Sequence, residues 1–130
     1  MLLRFFLDMD DELYKAMILD LYKHPLNKKI LDVFDLEQTG HNPSCGDRVV
    51  VQIKHDGDTV TDIGWTGEGC AISLAGLSLI SDEVKGKTKI EIQNSTKDEM
   101  LAMLGIPISH TRLKCALLGW QTIHQMISSL

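Results

Sequence analysis

The chain has 130 residues, 44% hydrophobic and 24% charged, with a net charge of −5 and a pI near 5.4. That length suits one domain, residues 1–130, with a hydrophobic core of its own. The acidic balance and scattered Lys and Arg argue against nucleic acid as a partner, and no apolar run approaches the roughly 20 residues that cross a bilayer, so no membrane association is expected.

Residues 1–9 open with Met1-Leu2-Leu3-Arg4-Phe5-Phe6-Leu7, too short and too soon followed by acids for a signal peptide, and read as an N-terminal extension. From about Asp10 to His24 the pattern is an amphipathic helix, with Leu13, Met17 and Leu21 flanked by Tyr14 and Ile18. Asp8, Asp10, Asp11 and Glu12 complement its N-terminal end, and Pro25 stops it. Ile30 to Leu36 is expected to form an edge strand, followed by a loop from Gly40 to Gly46.

Arg48–Lys54 and Thr59–Trp65 are β-rich runs around Asp56-Gly57-Asp58, which predicts a hairpin with Gly57 at positive φ. The loop before this hairpin holds Cys45 and Asp47. The chain leaves its second strand through Gly67-Glu68-Gly69-Cys70 at the same end, so the hairpin brings Cys45 and Cys70 together across 24 intervening residues. Ala71–Lys85 reads as a helix with a small-residue side (Ser73, Ala75, Gly76, Ser78) and Gly86 at its C-terminal cap. Lys85 to Lys89 is expected to be a solvated loop. Thr96–Leu104 is a short helix ended by Gly105 and Pro107, and Thr111–Ile127 is a final helix with Cys115 in its first turns. The fold class is α+β: a small antiparallel sheet of about three strands with helices on one face.

The chemistry concentrates in Cys45, Asp47, Cys70 and Cys115. Three widely spaced cysteines are a poor disulfide framework and fit a reducing cytoplasm better. Three thiolates and a carboxylate suffice for one four-coordinate metal site, suited to zinc or to an iron–sulfur cluster. Cys70 lies just before a helix and Cys115 near the start of one, where the macrodipole lowers a thiol pKa; Arg112 and Lys114 add positive charge. Asp47, two residues after Cys45, shares its side of an extended segment. A carboxylate holds iron less firmly than a fourth thiolate, which favours traffic over storage. The competing reading is three inert packing cysteines, most plausible for Cys115 among Ala116, Leu117, Leu118 and Trp120. His41 and His110 are spare-ligand candidates; His24 and His55 read as surface residues, His124 as core or surface. Trp65 and Trp120 read as core or interface aromatics, and Met17, Met100 and Met103 as core filler.

Three motifs, Asn42-Pro43-Ser44-Cys45-Gly46-Asp47, Gly67-Glu68-Gly69-Cys70-Ala71-Ile72-Ser73 and Arg112-Leu113-Lys114-Cys115, occur in the order found in U-type iron–sulfur assembly proteins (the IscU/SufU/NifU N-terminal domain family). Tyr22-Lys23-His24-Pro25-Leu26-Asn27 resembles the end of that family's first helix, with His24 in place of asparagine. The similarity covers about residues 11–127 and implies a SufE/NifU-like fold and partnership with a cysteine desulfurase. In SufU-like members it implies a zinc-dependent sulfur acceptor, with Cys45 receiving the persulfide, Arg112 supporting it, and Cys45, Asp47, Cys70 and Cys115 as ligands. In IscU-like members the same four residues hold a [2Fe–2S] cluster destined for recipient apoproteins. A purely structural zinc site is the third alternative. Lys114, where the scaffold subtype has histidine, and Ile106-Pro107-Ile108-Ser109-His110, where it has Leu-Pro-Pro-Val-Lys, favour the SufU-like reading. The 44 residues between Cys70 and Cys115 leave no room for the insertion usual in that subtype, which favours the IscU-like one.

Overall fold

A computed structural model describes residues 11–130; the extension expected at residues 1–9 lies outside the described residues. Helix α1 (Asp11–Lys23) ends before Pro25, whose ring disfavours a helical residue ahead of it. Its inward stripe is Tyr14, Met17, Ile18 and Leu21, and Leu13 faces solvent instead. The chain then runs along the sheet edge. Trp65 donates its backbone N–H to Asn27 O (3.1 Å) and its indole N–H to Leu26 O (2.8 Å).

The strand expected over Ile30–Leu36 is not formed. Ile30 and Val33 are 74% and 64% exposed, so their β-propensity finds no sheet face to cover. The strand that forms instead is β1 (Leu36–Asn42), and the expected loop shrinks to a turn over residues 43–46. Strands β2 (Asp47–Asp56) and β3 (Thr59–Glu68) complete an antiparallel sheet of order β1-β2-β3. Asp56 pairs with Thr59, leaving a two-residue loop in which Gly57 takes φ 58°. Val49, Val51 and Ile53 on β2, with Ile63 and Trp65 on β3, line the helix-facing side of the core. On the other side Leu31 packs over Gly64, and its N–H donates to Gln52 Oε1 at 2.9 Å.

Helix α2 (Ala71–Val84) ends as expected at Gly86, whose φ is 79°. The segment expected to be a solvated loop is docked on the free edge of β3. Gly86 N–H bonds Val60 O (2.8 Å), Val60 N–H bonds Lys87 O (3.0 Å) and Lys89 N–H bonds Asp58 O (2.8 Å). Together with Asn27 it covers backbone groups that an edge strand would otherwise present to other chains. A short helix that the sequence reading did not anticipate, α3 (Lys89–Gln93), begins at a capping box of Thr88 and Glu91. Helix α4 (Lys97–Leu104) has the same device in Thr96 and Glu99 and ends at Gly105, φ 71°. A 3-10 turn (His110–Arg112) leads into α5 (Leu113–Ile127).

Helices α2 and α5 cross at two glycines. A methyl group at Gly119 would lie 3.0 Å from Leu77 Cα, and one at Gly76 would lie 3.1 Å from Ala116 O. This close approach brings the N-terminal ends of both helices, and so Cys70 and Cys115, to one end of the sheet. Trp65 and Met100 are core residues as expected, and Trp120, Met17 and Met103 are half-buried against the core. Among the described residues no helix is long and apolar enough to cross a membrane.

Candidate metal centre

Asn42 and Asp47 form the last cross-strand pair of β1 and β2, and Pro43 to Gly46 make the turn between them. Cys45 N–H donates to Asn42 O at 3.3 Å and Gly46 adopts φ 73°. Cys45 and Asp47 are therefore not on one side of an extended segment. A left-handed glycine between them turns the chain so that both reach the same point. The turn leaves Cys45 exposed, while Asp47 is 0% exposed at the start of β2.

From β3 the chain arrives through Gly67 (φ 145°) and Gly69. A methyl group at Gly69 would lie 2.7 Å from Asp47 Oδ1, so the carboxylate fills the space that a side chain there would take. Oδ1 accepts the Cys70 backbone N–H at 2.9 Å. Cys70 is the N-cap of α2 and makes no cap with its own side chain; Asp47, 23 residues earlier, closes the helix end in its place. Helix α5 supplies Cys115, 0% exposed, with its Sγ 2.9 Å from Cys45 Sγ. Asn42 Nδ2 lies 3.4 Å from Asp47 Oδ2 and 3.5 Å from Cys115 Sγ.

Cys45, Asp47 and Cys115 thus place one donor atom each within 4.8 Å of one another. A tetrahedral site with ~2.3 Å zinc–sulfur bonds has edges of about 3.8 Å, so the two sulfurs, 2.9 Å apart, would separate by about 0.9 Å around a thiophilic cation. Cys70 is not a fourth member of the group. It is half-buried, and its sulfur stands beside Arg112. Cys70 first, then Cys115 and Cys45, raise the already high pKa of that exposed guanidinium. His41 and His110 are exposed and outside the group. One further polar atom, Ser73 Oγ, is buried without a partner near Gly69 and Asp47.

The macrodipole expectation for Cys115 is reversed. Burial, followed by its contacts with Cys45 and Asp47 and the nearby charge of Cys70, pushes this thiol well above its usual range. Desolvation of a fully buried sulfur outweighs a helix end that also faces other acids. A cation bound beside Cys115 would favour its thiolate form.

Over residues 13–130 the chain matches the profile of the NifU-like N terminal domain. It belongs to that family. The zinc-dependent sulfurtransferase SufU of Bacillus subtilis (strain 168) is 34% identical, with 91% of each chain covered. The iron–sulfur cluster assembly scaffold protein IscU of Streptococcus pyogenes serotype M1 is 31% identical, covering 90% of this chain and 84% of the relative. Among solved structures, a candidate SUF-system assembly scaffold protein of Fervidobacterium islandicum AW-1 superposes with a TM-score of 0.76 at 26% identity, over 85% of this chain and 93% of that one. The three-stranded α+β architecture is thus that of NifU-like domains. The SufU alignment runs over 138 positions while 91% of this chain is about 118 residues, so about 20 positions of that relative have no counterpart here.

Proposed function

We propose that this NifU-like domain accepts sulfur from a cysteine desulfurase at a Cys3Asp metal site, as a step of iron–sulfur cluster assembly in a reducing cytoplasm. The observation that carries the reading is the asymmetry of the thiols: an exposed Cys45 rests 2.9 Å from a buried Cys115 beside a buried Asp47. One sulfur is presented to a macromolecular donor and the others anchor it. Cys45, Asp47 and Cys115 would hold zinc, and Cys70, which stands outside that group beside Arg112, would turn in as the fourth ligand. Bound zinc supplies a Lewis-acid centre that keeps cysteine sulfurs deprotonated at neutral pH.

In the transfer, the Cys45 thiolate attacks the outer sulfur of the desulfurase persulfide. A new S–S bond forms at Cys45 as the old one breaks, and the desulfurase cysteine leaves as a thiolate. No external oxidant or reductant is consumed. Arg112, exposed beside Cys70, offers positive charge where anionic sulfur gathers. The relative described as a zinc-dependent sulfurtransferase supports this reading.

A second reading has its own support. The chain lacks about 20 positions of the SufU relative and also resembles a protein described as an IscU scaffold, so the same residues would carry a [2Fe–2S] cluster to apoproteins. One experiment separates the two. Zinc-loaded protein is incubated with its desulfurase and cysteine, and Cys45 is inspected by mass spectrometry. One added sulfur atom on Cys45, absent from Cys45→Ser, supports the acceptor. An unmodified Cys45, with stable sulfur-to-iron charge-transfer bands once ferrous iron is supplied anaerobically, supports the scaffold.

A further inference from the structure

We infer that Asn42 is a positioning residue of the metal centre, its side-chain amide holding Asp47 and Cys115 as ligands. The inference rests on the metal-site reading above. Asn42 is only 4% exposed, at the last position of β1. Its pairing with Asp47 across the ladder puts both side chains on the helix-facing side of the sheet, at the end where Cys115 arrives. Gly40, two residues earlier on the same face, lies directly under Thr122 of α5, which lets that helix press onto β1. Cys115 thereby reaches Asn42.

The chemistry of the neighbours orients the amide. Its Nδ2 faces a carboxylate oxygen at 3.4 Å and a sulfur at 3.5 Å, both acceptors, so the NH2 end and not the carbonyl belongs there. Two hydrogens on one nitrogen serve two ligands on different elements, β2 and α5. A buried carboxylate and a buried sulfur are costly as anions unless they accept hydrogen bonds. A lysine or arginine in this place would neutralise them and compete with the cation. A neutral amide stabilises both and leaves their negative charge available to the metal. Cys45 Sγ accepts no hydrogen bond from this amide, so the exposed sulfur stays the labile one. Such outer-shell donors set the orientation of ligands and the electronic character of the bound ion.

The test compares zinc affinity, by chelator competition, in the wild type and in Asn42→Leu, which keeps the number and branching of the side-chain heavy atoms and removes both donors. A 10- to 100-fold loss is expected in the variant, on the order found for outer-shell partners. The cobalt-substituted variant should also show a shifted visible spectrum. A second measurement needs no variant. With spin-active cadmium in the wild-type site, an N–H···S–Cd hydrogen bond transmits scalar coupling to the Asn42 side-chain amide protons. Wild-type affinity and spectrum in Asn42→Leu, or no coupling in the cadmium protein, overturns the inference; if the variant does not fold, the coupling decides alone. A wild type that binds none of these metals overturns the metal-site reading itself, and the inference with it.

Discussion

Gly69→Ala tests how the carboxylate is held. Gly69 has no positive φ, so alanine suits the backbone there and the cost comes from space alone. The new methyl group would lie 2.7 Å from Asp47 Oδ1, 3.2 Å from its Cγ and 3.2 Å from Ser73 Oγ. The oxygen must retreat by about 0.7 Å to reach an ordinary contact. A side-chain end normally moves aside cheaply, but this one is fully buried and bonded to Cys70 N–H at 2.9 Å. Retreat lengthens and weakens that bond at the start of α2. A hydrogen bond to a charged group contributes about 1.5–3 kcal/mol, so a stability loss of about 1–2 kcal/mol is expected if the bond is weakened rather than lost. For a chain of this size that is a fall in Tm of roughly 3–10 °C. Zinc affinity should drop more than tenfold, because the displaced group is itself a ligand. Thermal melts of metal-free protein and a chelator competition provide the two numbers. Wild-type values for both would refute the account of a carboxylate wedged between a glycine and a helix end.

Gly119→Ala probes the crossing that delivers Cys115. Alanine gains about 1 kcal/mol in helix propensity, but a methyl group 2.8 Å from Leu77 Cδ1 and 3.0 Å from its Cα costs about 1–3 kcal/mol in overpacking. A net destabilisation of about 1 kcal/mol by urea unfolding is expected, and a stabilised variant contradicts the packing argument. Ser73→Ala removes a buried hydroxyl with no partner and should raise the Tm of the metal-free protein by roughly 3–6 °C. A lowered Tm means that the hydroxyl is satisfied in solution. Gly46→Ala meets no steric obstacle but forces φ 73° on an L-residue, costing about 1 kcal/mol. Its effect should be larger on metal affinity than on Tm, since the turn bears Cys45; equal affinities would show that the turn is not strained by the change.

The elements with strong periodicity or clear punctuation were legible in the sequence. α1 stops at Pro25, the hairpin turns at Gly57, α2 ends at Gly86 and α4 at Gly105. β1 was not legible, because its sequence Leu-Glu-Gln-Thr-Gly-His-Asn carries almost no apolar alternation. Its buried positions are Gly40, which lies against Thr122, and Asn42, which lies against Asp47 and Cys115, and neither is apolar enough to signal a strand. Apolar Ile30 and Val33 attracted the strand assignment instead. α3 reads as an alternating Lys-Ile-Glu-Ile-Gln run, and only the Thr88–Glu91 spacing marked it as helical.

At the candidate centre, motif order singled out Cys45, Asp47, Cys70 and Cys115, and the structure groups Cys45, Asp47 and Cys115 and leaves Cys70 outside that group. The part played by Asn42 lay unread within its motif, since nothing local says that an amide will meet a cysteine 73 residues away. Burial was the quantity that spacing did not convey: it reverses the expected acidity of Cys115 and separates one exposed thiol from a hidden one.

The Asp47 carboxylate both faces the thiols and closes the first turn of α2 through Cys70 N–H. The helix is consequently wired to the centre as a gauge. Drawing charge out of that carboxylate weakens its hold on a single amide proton, whose NMR frequency and exchange rate then follow the state of the site. Metal loading could be tracked in intact protein at the Cys70 amide, with no reagent touching a sulfur atom.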